Sequence, residues 1–133
     1  MGAIYMKTLA SIFSMLFLTL LSSQSLLANE ASEAAVHEVA TIILNLNHHP
    51  SDSEKTQLEK IASTESNSAQ IRTIAKAMIN LEHKASAADK EKLSEIMNDS
   101  STAEDVKTLA SILKSLNHKP SSDDKEKLSP LAK

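Results

Sequence analysis

Apolar residues recur at steps of three and four in three separate stretches of the chain. Val36, Val39, Ala40, Ile43 and Leu46 form the first set, and Ile71, Ile74, Ala75, Met78 and Leu81 the second. Val106, Leu109, Ala110, Leu113 and Leu116 form the third. Such spacing gathers each set on one face of an α-helix. Ile42, Ala77 and Ile112 widen the stripes, so these three helices are expected to be the more buried. Shorter amphipathic runs follow each: Leu58 with Ile61, Leu93 with Ile96 and Met97, and Leu128 with Leu131. Their other faces are Lys, Glu, Asp and Ser, which predicts solvated partner helices. No stretch alternates with period two, so no strands are expected.

The punctuation agrees. Ser51-Asp52-Ser53-Glu54 is a capping-box pattern opening a helix, and Ser86…Asp89 and Ser121…Asp124 repeat it with Asp. Pro50 and Pro120 stand just before two of these caps, where they stop the preceding helix. Ser66-Asn67-Ser68 and Ser101-Thr102-Ala103-Glu104 are the expected openings of the second and third long helices.

The three units are copies of one another at a spacing of 35 residues. Residues 71–98 and 106–133 share 12 identities over 28 gap-free positions. Ala40, Leu46, His48, Ser51, Lys55 and Leu58 are matched identically in both later copies. The prediction is an all-α protein of three tandem 35-residue helical hairpins, six helices in all, forming a short solenoid or a compact bundle. Repeats fall at about 36–70, 71–105 and 106–133 of a single domain, 29–133. The unit length resembles that of tetratricopeptide-type hairpins. The aromatic and glycine signature of that family is absent from all three copies, so the resemblance implies topology alone.

Residues 1–28 read as a secretory signal: Lys7 is followed by an apolar stretch, Leu9 to Leu21, and a polar segment ending near Ala28. Cleavage after Ala28 or after Ser25 fits the pattern. The apolar stretch is short of the roughly 20 residues a spanning helix needs. The expectation is export, to the periplasm or beyond it, with no membrane contact after cleavage.

Removing this leader sharpens the composition. Gly2, Tyr5, Phe13 and Phe17 all lie within it, so the remainder has no Gly, Phe, Tyr, Trp or Cys. Phosphate-cradling Gly loops, disulfides, cysteine metal sites and aromatic base-stacking platforms are thereby excluded. Loss of Lys7 leaves 13 basic against 17 acidic side chains. That balance offers nucleic acid no electrostatic footprint, and no cofactor is expected.

Three groups remain as candidate chemistry. His48, His83 and His118 share one repeat position, with His49, Lys84 and Lys119 beside them. One reading is a transition-metal site using His48, His49, His83 and His118. The other is helix-end punctuation, in which a basic side chain bonds the last carbonyls. In a stack of hairpins, equivalent residues stand about 10 Å apart, too far to share an ion, and the lysines repel a cation. Punctuation is therefore the expected role. His37, with Arg72 and Lys107 at its repeat position, reads as a solvated basic site. The carboxylates Asp52, Glu54, Asp89, Asp123 and Asp124 sit where helix N-termini favour negative charge, and no nucleophile accompanies them.

Leu44 and Ile79 are apolar where the third repeat has Lys114. They mark either a face covered by neighbouring repeats or an interaction face for a protein partner or a second copy of the chain. The functional expectation is an exported, non-catalytic binding or protein-interaction module, of an envelope-stress or chaperone-like kind. The alternative is a His-based periplasmic metal-binding protein.

Overall fold

The structure, a computed structural model, describes residues 29–133; the leader assigned to residues 1–28 lies outside the described residues. These residues form six helices and no strands: α1 (29–45), α2 (Asp52–Ser63), α3 (Ala69–Ile79), α4 (Ala87–Asn98), α5 (Glu104–Ser115) and α6 (Ser122–Leu128). The chain is all-α, and its helix pairs pack into a compact bundle.

The periodic stripes become the core. Val39, Ala40 and Ile43 of α1, Ile71, Ile74, Ala75 and Met78 of α3, and Leu109, Ala110 and Leu113 of α5 are fully buried. The second helices contribute less: Leu58 and Ile61 from α2, Leu93 and Ile96 from α4, and Leu128 from α6. The first two of these helices also bridge forward along the chain, α2 against α3 and α4 against α5, while α3 packs on both α4 and α5, and α6 on α5. With no rings to fill space, these small aliphatics interdigitate from three hairpins at once. Truncating any one of the Leu, Ile or Met residues among them to Ala is expected to cost about 2–5 kcal/mol.

The caps hold the hairpin turns. Ser51 and Glu54 form a reciprocal capping box, as do Ser121 and Asp124. At α4 the box is half made. The Ser86 hydroxyl accepts from the Asp89 amide at 3.1 Å and donates to its carboxylate at 2.7 Å. Ser68 caps α3 by accepting from the Ile71 amide.

The third long helix starts differently from the expectation. Its N-cap is Ala103, which offers no side-chain bond. Ser101 turns back instead, its amide and hydroxyl both donating to Asp99. At the start of α3, the residue before the N-cap is the buried Asn67, which donates to the Ile61 carbonyl. Thr102, its counterpart, is too short to do so, and its buried hydroxyl has no partner. The last helix is also shorter than its stripe implies. Pro130 has no amide to extend the ladder, so α6 ends at Leu128 and Leu131 reaches the core only in part, from a following turn.

Candidate functional site

Each hairpin turn is pinned at both ends and open in the middle. Leu46 and Pro50, Leu81 and Ala85, and Leu116 and Pro120 are buried, while the three residues between each pair are exposed. The chain must therefore reverse over a very short exposed arc without a glycine. His48 and His118 achieve this in the left-handed region, with φ of 81° and 68°. His118 is also the centre of a three-residue γ-type turn closed by the Lys119 amide donating to the Asn117 carbonyl at 2.9 Å.

The three turns meet at one end of the bundle. The His48 amide donates to the His118 carbonyl at 2.7 Å, and the His118 amide to the His83 carbonyl at 2.8 Å. The corresponding third bond, from the His83 amide to the His48 carbonyl, is not formed. The imidazoles follow the backbones together. Ring centroids lie 5.9 Å apart for His48–His83, 5.2 Å for His48–His118 and 4.9 Å for His83–His118. The first two pairs are edge-to-face and the third is stacked at 11°.

This corrects the expected separation of about 10 Å. That figure assumed a stack in which the first and third hairpins never touch; here the hairpins curl so that every turn contacts the other two. The punctuation role changes as well. His48 and His118 end their hairpins through backbone conformation, and their ring nitrogens face side chains. His48 Nδ1 lies 3.1 Å from Asn47 Oδ1, and His118 Nδ1 lies 2.8 Å from Asn117 Oδ1. An amide oxygen only accepts, so these contacts suit the neutral tautomer protonated at Nδ1, in which Nε2 is the free nitrogen donor. At His83 the preceding residue is Glu82, and this orienting contact is missing.

The remaining candidates lie elsewhere. His49 stands next to the cluster in sequence, but its Nδ1 faces the Pro50 carbonyl at 3.2 Å and it joins none of the ring pairs. His37 is exposed on α1. Lys84 and Lys119 are exposed beside the cluster, and an open hollow next to His83 is lined by Asn80, Glu82, Lys84, Ala85 and Lys90. In the conformation described, no three His, Asp or Glu side chains are set to hold a metal ion among the described residues. Leu44 and Ile79 are half-buried and pack on the core, and Lys114 is half-buried at the same repeat position.

Sequence reasoning passed over one polar cluster. Asp99 caps the end of α4, accepts from Ser101 and is reached by the Gln70 side chain of α3 at 3.3 Å. The Ser101 hydroxyl, then the Ser101 amide, hold its carboxyl below the ordinary carboxylate value. The Asp99-Ser100-Ser101 spacing, an Asx-turn pattern, was the available signal. Among the described residues no helix is long and apolar enough to cross a membrane. No protein-family model matches the chain, and no curated protein or solved structure is significantly similar to it.

Proposed function

We propose that the protein is an exported, non-catalytic binding module whose working end is the face made by its three His turns. One observation carries this reading: equivalent exposed residues from all three repeats converge there, so a single ligand can touch three copies of one motif. The carboxylates of the first helical turns, such as Glu54, Asp89 and Asp124, serve as cap groups, which supports binding over catalysis. The apolar stretch after Lys7 supports export.

Isotope-labelled protein mixed with envelope extract tests the reading. Shifted amide signals should concentrate in residues 46–51, 81–86 and 116–121. Perturbation confined to other surfaces, or none at all, would contradict it. Fractionation of cells producing the full chain tests export, with a shortened product expected outside the cytoplasm.

A further inference from the structure

We infer that His48, His83 and His118 form a three-imidazole site for one first-row divalent transition metal of the zinc and copper(II) class. The inference rests on the reading of the turn face as the binding end and names its ligand.

The distances are those of ligands sharing an ion. Imidazoles bound through nitrogen at about 2.0–2.1 Å in tetrahedral directions have ring centroids roughly 5 Å apart. The observed separations of 4.9, 5.2 and 5.9 Å bracket that value. The backbone has therefore brought the three rings to the separation of shared ligands, while in the conformation described their donor atoms do not converge on one point. His83 and His118 lie nearly parallel, at 11°, so one ring must turn to aim its lone pair at the common point. All three side chains are exposed, and exposed rotamers exchange in picoseconds to nanoseconds.

Two rings have a neighbour that favours the required tautomer. Ligating histidines usually donate their other N–H to an oxygen that fixes the ring. Asn47 and Asn117 provide such oxygens at His48 and His118, leaving Nε2 as the donor to metal. His83 lacks this support and is the ring free to turn. Three neutral nitrogen donors without thiolate suit zinc, copper(II) or nickel, and not the oxygen-seeking calcium or magnesium. Lys84 and Lys119 lower the affinity but are exposed on long stems, where screening weakens their repulsion. A three-ligand site leaves a fourth position facing solvent.

Calorimetric titration of the protein, purified without a histidine tag, with zinc and copper(II) salts tests the site. One equivalent should bind to the full chain. His48→Asn, His118→Asn and His83→Gln, the first two chosen because Asn accepts left-handed backbone, should each weaken binding by at least about tenfold. Asn47→Ala should weaken it by about 10–100-fold, the usual effect of losing a partner that orients a ligand. His37→Gln should leave it unchanged, and circular dichroism checks that each variant stays helical. On zinc addition, ring nitrogen signals should move at Nε2 of all three histidines. Failure to bind either ion more tightly than millimolar would overturn the site, as would affinity that survives the triad substitutions. If the metal fails while envelope extract still perturbs the turns, the binding-module reading stands and this ligand is excluded.

Discussion

The backbone amide of His48 donates to the carbonyl of His118 at 2.7 Å, joining the first repeat directly to the last. In an open array each repeat touches only its neighbours, so this one bond distinguishes a closed bundle from a solenoid. It also explains the His cluster, because the residues that carry the backbone bonds carry the rings.

Closure depends on two non-glycine residues with positive φ, which for a β-branched side chain is a costly state. His118→Val should therefore destabilise the protein by about 1–3 kcal/mol. His118→Asn, which tolerates that backbone, should cost much less. Urea denaturation of the two variants checks the difference, and equal losses would argue against the left-handed turn.

The uncapped start of α5 can be repaired. Ala103 stands where Ser68 caps α3, so Ala103→Ser should supply the missing acceptor for an amide in the first turn. A gain of about 0.5–2 kcal/mol is expected in the unfolding free energy. No gain would mean that the turn held by Asp99 and Ser101 prevents the cap from forming.

Acid sensitivity should trace in part to Asp99. Its carboxyl is held below its ordinary value by the Ser101 hydroxyl and amide. The unfolded value is about 3.9, so the contribution is complete above that pH and is lost as pH falls through the lower folded value. Asp99→Asn should be less stable than wild type at neutral pH, and the gap should close on acidification. Urea midpoints measured across the acid range check this; a gap that widens toward low pH would contradict the assignment.

Leu44 should behave as a surface-edge residue. Lys114 occupies its repeat position half-buried, so Leu44→Lys should cost under about 1 kcal/mol, with the ammonium reaching solvent along its stem. Ile43→Ala, one residue earlier and fully buried, should cost about 2–5 kcal/mol. Thermal melts of the pair test the distinction.

Much of this architecture was legible in the residues. The stripe through Ile71, Ile74 and Met78 and the caps at Ser51 and Ser121 are local patterns, set by helix geometry and by the hydrogen bonds a hydroxyl can make. The meeting of the three turns was not legible. It depends on the left-handed backbone of His48 and His118, which His does not announce as Gly would, and on the angle between hairpins, which arises from packing across repeats. The start of α5 misled for a related reason: Ser101 reads as a cap by position, yet its hydroxyl has a nearer acceptor in Asp99.

Nuclear Overhauser spectroscopy on the imidazole protons tests the closed bundle most directly. The account predicts cross-peaks linking His48 to both His118 and His83, and His83 to His118, in the metal-free protein. Cross-peaks between successive repeats with none between His48 and His118 would contradict it, and would return the three hairpins to an open stack.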